Sequence, residues 1–162
     1  MKKEKVLFLT QAAMIAALYV VLTLVFQAIS FGEIQVRIAE ALTILPVFTP
    51  AAIPGLFIGC LIGNIIGGSI LPDIIFGSIA TLIGAYFTYL LRKQNKFLTP
   101  LPPIISNTII VPFILHYAYG FNLPIPFMML TVGIGEIISC GLLGMILYTP
   151  LQKHRNRIFR TQ

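Results

Sequence analysis

The sequence has 162 residues, of which 57% are hydrophobic and only 10% charged, against about 25% charged in an ordinary soluble domain. This excludes a soluble globular domain and describes a chain built for a lipid bilayer, long enough for several spans and too short for a sizeable extramembrane domain besides. The net charge of +6 is no sign of nucleic-acid binding. All basic residues but Arg37 fall in three short groups that flank apolar stretches: Lys2, Lys3, Lys5; Arg92, Lys93, Lys96; and Lys153, Arg155, Arg157, Arg160. That is the positive-inside pattern, and it puts all three groups on the cytoplasmic face.

Taken in order, the first apolar segment runs from about Lys5 to Ile29 and travels outward. It is too long for a signal-peptide core and lacks a small-residue cleavage site. After a loop at Ser30–Gln35, a second segment (about Val36–Phe48) reads as a helix that rises only ~20 Å, short of a ~30 Å hydrocarbon core. Thr49 and Pro50 make a turn, and a third helix (about Ala51–Gly67) goes back out. A fourth starts near Pro72, with proline suited to a first turn, and ends at Arg92. A fifth covers about Thr99–Tyr117, with a kink expected at Pro112. The loop Tyr119–Leu123 leads to a sixth, about Pro124–Leu151. Six spans with both termini cytoplasmic satisfy all three basic groups. The expected fold is thus an all-α integral membrane protein, one six-helix domain over residues 1–162 with cytoplasmic tails at about 1–5 and 152–162. Short or broken helices at membrane depth are where transport sites tend to lie, which singles out the second segment.

Two patterns of small residues concern packing. Gly55, Gly59, Gly63 and Gly67 recur every four residues on the third helix and read as a close helix–helix contact. Ala12, Ala13, Ala16 and Ala17 make a smooth face on the first helix, either packed internally or open to a second membrane protein. Cys60 and Cys140 lie inside apolar spans and read as small packing residues, not a disulfide framework.

The acids carry more information, because a carboxylate near the centre of a span costs ~2.5–3.5 kcal/mol on insertion scales. Glu4 and Glu33 fall in a tail and a loop. Glu136, deep in the sixth helix with Ser139 and Cys140 on its face, is the most expensive residue of the chain; it is a structural acid paired with another helix or a ligand contact. Arg37 and Glu40 are i, i+3 neighbours and could form an ion pair or face a ligand. Asp73 complements a helix N-terminus or binds. Asn64 and Asn107, inside apolar runs, need a hydrogen-bonding partner. His116 and Tyr117 sit at the outer end of the fifth helix. At ~1.5 Å per residue, Asp73 and Glu40 come out near the outer surface, Asn64 about 10 Å down, and Asn107 and Glu136 near the middle. The polar groups outline a cup open to the outside and closed below.

The run FGEIQVRIAEALTILPVFTPAAIPGLFIGCLIGN (Phe31–Asn64), followed by PDIIFGSIATLIGAY (Pro72–Tyr86), resembles the QueT family of queuosine-precursor transporters, which are substrate-binding (S) components of energy-coupling factor (ECF) transporters. The specific elements are R-x-x-E-A-L and P-x-F-T-P-A-A-I-P-G-L; the fifth and sixth helices match more loosely. The resemblance implies an ECF S-component-like bundle that imports a 7-deazaguanine, such as the aminomethyl or cyano form or queuine. A guanine-type edge offers N–H donors beside a carbonyl, so carboxylates would accept and an arginine or amide would donate. The implied binding set is Glu40 or Glu136 for the first role and Arg37, Asn64 or Asn107 for the second, with Asp73 for an aminomethyl arm and Phe31, Tyr117 or Tyr119 for stacking. The alanine face (Ala12, Ala13, Ala16, Ala17) is similar to the surface by which such components dock on their transmembrane coupling subunit. No cofactor is expected in the chain itself, which has no P-loop; two partner ATPase subunits would use ATP. Three other readings compete. An S component for another vitamin or nucleobase shares the same chemistry. A self-sufficient channel or exporter would want polar residues in both halves of its spans. An intramembrane enzyme would want a metal or nucleophile cluster, and no such motif is present.

Overall fold

The computed structural model describes residues 2–30 and 36–159, with backbone alone at 29, 30, 156 and 157. Phe31, Glu33 and Gln35, and most of the loop expected between the first two segments, lie outside the described residues, as does the tail beyond Phe159. Everything regular among the described residues is helical: α1 (Lys2–Val25), α2 (Gln27–Ser30), a 3₁₀ helix (Ile38–Val47), α3 (Ala52–Ile66), α4 (Leu71–Leu91), a 3₁₀ turn (Lys96–Leu98), α5 (Leu101–Tyr117), α6 (Ile125–Glu136), a π-helical segment (Ile137–Leu143), α7 (Gly144–Lys153) and α8 (Arg155–Ile158). Four continuous helical stretches are long and apolar enough to cross a membrane: Lys2–Val25, Leu71–Leu91, Lys96–Tyr117 and Ile125–Lys153. The 3₁₀ helix and α3 are apolar but shorter.

The second segment differs in kind from the α-helix expected for it. Ten residues, Ile38–Val47, form a 3₁₀ helix, in a form that seldom runs beyond about 3–4 residues. Nine in succession, Ala39–Val47, are buried. They touch α1, α3, α4, α7 and the π segment, while α1, α3, α4, α5 and α6 pack each on the next around them. The segment is therefore a central rod sheathed by the other helices, which explains its composition: there is no lipid face to keep apolar and no water face to keep polar. With three residues per turn, side chains at i and i+3 eclipse, so Arg37, Glu40 and Thr43 fall along one edge.

Its direction follows from the glycine ridge. A Cβ built on Gly55 would meet Ala12 and Ile15, one on Gly59 would meet Ala16 and Tyr19, and one on Gly63 would meet Thr23. Advancing along α3 means advancing along α1, so the two helices are parallel and the rod is the return leg between them. The same contacts divide the alanine face. Ala12 and Ala16 are buried against α3, and only Ala13 and Ala17 remain exposed.

Helix α4 is built inside out for lipid. Its inward stripe is small or polar (Asp73, Gly77, Ser78, Ala80, Thr81, Gly84, Ala85, Thr88), while Ile75, Phe76, Ile79, Ile83 and Phe87 point outward and exposed. Small residues let helix backbones come close where lipid leaves little hydrophobic drive to association; a Cβ on Gly84 would lie 2.6 Å from Pro103 Cα of α5. The reversal from α3 into α4 is a helix stop of the Schellman type. Gly68 takes φ +79°, Ser69 N–H donates to Asn64 C=O at 2.9 Å, and Gly68 N–H donates to Ile65 C=O at 3.2 Å.

Candidate functional site

Polar side chains from the rod, α1, α4, α5 and the π region meet in the interior in two tiers. In the outer tier Arg37, at the start of the rod, sits with its Nη2 3.6 Å from Asp73 Oδ2 in the first turn of α4. Tyr119, in the loop after α5, donates its hydroxyl to the same Oδ2 at 2.9 Å. Partial burial and the Asp73 carboxylate raise the Tyr119 phenol above its ordinary pKa, so it stays protonated and able to donate. Asn64 Nδ2 donates to the Asp73 carbonyl at 3.4 Å. Gly77 keeps this corner open, since a Cβ there would lie 3.0 Å from Asp73 Oδ1 and 3.4 Å from Asn64 Nδ2.

The inner tier is built on Glu40, whose solvent exposure is 0%. Its Oε1 accepts hydrogen bonds from the Tyr19 hydroxyl of α1 and from Thr81 Oγ1 of α4 at 3.1 Å. Its Oε2 is buried with no hydrogen-bond partner among the described residues. Facing it are Glu136 and Cys140; one ligand atom from each of Glu40, Glu136 and Cys140 lies within 4.8 Å of the other two. The buried Asn107 side chain from α5 lies close to both carboxylates. Cys140 donates to Glu136 Oε2 at 3.1 Å, and Thr43, the next residue along the rod's polar edge, donates its hydroxyl to the Glu40 carbonyl at 2.6 Å. Buried Ser139 Oγ and Thr108 Oγ1 lack partners among the described residues.

The clustering on the last helix follows from i, i+3, i+4 spacing: Glu136, Ser139 and Cys140 are all buried while Ile137 and Ile138 face outward. The π segment begins just after Glu136, and π-bulges are frequent at functional sites. Glu40, Glu136 and Cys140 could together offer a metal ion two carboxylates and a sulfur. The Cys140 thiol, however, acts here as a hydrogen-bond donor, a use that needs its proton, whereas a metal ligand would be the thiolate.

Arg37, Glu40, Asn64, Asp73, Asn107 and Glu136 are thus brought together, all buried. Tyr117 is not. It is 75% exposed, with its ring against Phe113 and His116 on the outer side of α5, because its helix position points away from the rod. The expected depth of Glu40 also needs correction. It bonds Thr81, ten positions into α4 and hence ~15 Å along that helix, so it lies at the level of Glu136 and not near the outer surface. Counting along a separate spanning helix misplaced it, since the rod enters already inside the bundle. The residues missed are Tyr19, Thr81 and Thr43, while Cys140, placed on the face of Glu136 but read as a packing residue, hydrogen-bonds that carboxylate. Tyr19 had a legible signal: Ala12, Ala16, Tyr19 and Thr23 follow the i, i+4, i+7, i+11 spacing of one helix face, the face that meets the glycine ridge.

A family model described as QueT transporter matches residues 9–153. The queuosine precursor transporter QueT of Lactococcus lactis subsp. cremoris (strain MG1363) is 39% identical over 98 residues, a stretch covering 59% of this chain and 57% of that protein. The match thus spans little more than half the length of that relative. No solved structure matches the chain.

Proposed function

The chain belongs to the QueT transporter family, and on that premise we propose that it is the substrate-binding membrane subunit of an ECF-type importer that captures a queuosine precursor, a 7-deazaguanine, from outside the cell. The family is one of transporters and not of enzymes. The observation that carries the reading is the buried inner tier: two carboxylates from different helices side by side, the Asn107 side chain close to both, and one carboxylate oxygen, Glu40 Oε2, with no hydrogen-bond partner among the described residues.

That arrangement suits a flat heterocycle with adjacent N–H donors and a carbonyl. In the proposed mode Glu40 Oε2 and Glu136 accept from the ring amide N–H and the exocyclic amine, while Asn107 donates to the carbonyl. Desolvation favours the true ligand over analogues, because a buried acceptor left unmatched costs ~1–3 kcal/mol. Arg37, Asp73, Tyr119 and Asn64 form the gate above; Asp73, shared between Arg37 and Tyr119, exchanges partners when an aminomethyl arm arrives.

The proposed topology is six crossings with both termini cytoplasmic. The rod serves as the inward second leg, in agreement with the parallel course of α1 and α3. Energy comes from two ATPase subunits through a transmembrane coupling subunit, for which Ala13 and Ala17 on the exposed side of α1 are the proposed contacts. The test is a titration of the detergent-purified protein with guanine, the aminomethyl and cyano 7-deazaguanines, queuine and riboflavin, by thermal shift and then calorimetry. One deazaguanine should bind tightly and guanine much more weakly. Affinity left unchanged by Glu40→Gln, Asp73→Asn and Glu136→Gln alike would refute the site.

A further inference from the structure

A polar concavity lies at the end of the rod opposite Arg37. It is a cavity of about 260 Å³ walled by the start of α1 (Leu7, Phe8, Gln11), the turn Val47–Pro50, the end of α4 (Tyr89, Arg92) and the tail (Arg155, Phe159). From Glu40 to Phe48 the rod advances ~16 Å at about 2.0 Å per residue, so this cavity is separate from the two-tiered cluster. Its described wall contains two arginines and no carboxylate.

The donors in that wall are held in place. Arg92 Nη1 donates to the Tyr89 carbonyl at 2.8 Å, and the guanidinium lies 3.7 Å over the centroid of the Tyr89 ring. A guanidinium fixed by one N–H and one face still presents its remaining N–H edge, the planar fork that matches a phosphate or carboxylate. Gln11 Oε1 accepts from Thr49 Oγ1 at 2.9 Å, which turns the Gln11 amide nitrogen away as a further donor. Arg155, at the start of α8, is exposed. The opposite wall is apolar: Leu7, Phe8, Val47 and Phe48, closed by Phe159, which is buried and stacked on Phe48 at 5.4 Å. Beside the opening, Val6 and Leu9 present exposed apolar side chains along α1.

We infer that this cavity is a binding site for the phosphodiester headgroup of an anionic phospholipid, with Arg92, Arg155 and Gln11 holding the phosphate and an acyl chain starting against the apolar wall at Leu7 and Phe8. A cationic concavity with an apolar wall, set between helices at a membrane surface, selects an amphiphilic anion over a small hydrophilic one. The bound headgroup ties the tail, through Arg155, to the turn that ends the rod.

The test uses the full chain in dodecyl maltoside, titrated with phosphatidylglycerol or phosphatidylcholine and read by thermal unfolding and by native mass spectrometry of retained lipid. The expected result is a stabilising shift and retained lipid with phosphatidylglycerol only, lost in Arg92→Gln/Arg155→Gln but kept in Lys93→Gln/Lys96→Gln, which removes the same charge from the exposed neighbouring loop. Arg92→Lys, a milder change, should weaken retention at least five-fold while the protein still unfolds cooperatively. Equal loss in both double variants would reduce the effect to general surface charge and overturn the site. An equal shift from glycerol 3-phosphate or from a glutamate-rich peptide would overturn the lipid assignment.

Discussion

Replacing Gly59 by alanine tests whether the spacing of two helices controls the interior site. The added Cβ would lie 2.7 Å from Tyr19 Cβ and 3.0 Å from the Ala16 carbonyl oxygen. Carbon atoms at rest stand ~3.5–4.0 Å apart, so α1 and α3 must separate by about 1 Å at this point. Neither obstacle is the end of a flexible side chain, so little of that can be absorbed locally. Overpacking of this kind costs ~1–3 kcal/mol, against a helix-propensity gain of up to about 1 kcal/mol for Gly→Ala. Gly141→Ala is the control, since its Cβ would meet only Ile104 Cδ1 and Ile137 Cγ2, both at 3.8 Å. Denaturant unfolding in micelles should place Gly59→Ala below wild type and Gly141→Ala at or above it. Because the displaced residue is Tyr19, which bonds Glu40, the proposed deazaguanine ligand should also be held less tightly in Gly59→Ala alone. Equal midpoints and equal affinities for the two variants would refute the link between the glycine ridge and the site.

Tyr19→Phe keeps the ring but removes one of two hydroxyl donors to Glu40 Oε1; a hydrogen bond to a charged group is worth ~1.5–3 kcal/mol, so calorimetry should show a ~10–100-fold weaker affinity for the cognate deazaguanine, and an unchanged value would remove Tyr19 from the site. Arg37→Gln and Asp73→Asn should each destabilise the protein, with the double variant costing less than their sum by at least ~1 kcal/mol; strict additivity in unfolding midpoints would mean the pair is not coupled. Phe159→Ala should lower the unfolding midpoint by the equivalent of ~3 kcal/mol, the lower end for losing a buried phenylalanine, while leaving ligand affinity in place, as its contacts are with Phe48 and lie far from Glu40.

Much of the helical layout could be read from the sequence where a helix end carries a group with one physical meaning, as Pro72 does at an N-terminus and Arg92 at an exit. The glycine ridge was legible for the same reason, since four-residue spacing of Gly admits few readings. The rod was not. When every direction around a segment is protein, hydrophobic periodicity vanishes, and IAEALTILPV carries no mark of three rather than 3.6 residues per turn. Its burial in turn moved Glu40 from an expected outer position to the middle of the bundle. The alanine face could be located but not assigned, because whether Ala12 or Ala13 turns inward depends on the partner helix, and the glycines that decide it lie some forty residues away. Tyr117 reads from sequence as a stacking face at the outer end of the fifth helix, but its place on that helix turns it outward; Tyr119 reaches Asp73 because it has left the helix.

The sheathed rod also bears on how the protein reaches its finished state in the membrane. Residues 36–48 carry Arg37 and Glu40 within a stretch too short to cross the hydrocarbon, and each such charge opposes insertion by ~2.5–3.5 kcal/mol. The segment therefore cannot leave the translocation channel as an independent helix. Its charges find partners only once Tyr19 on α1 and Thr81 and Asp73 on α4 have arrived. Biogenesis must then end with the rod drawn into a nearly complete sheath, and the side chains proposed to recognise cargo double as the seal of a correctly assembled molecule.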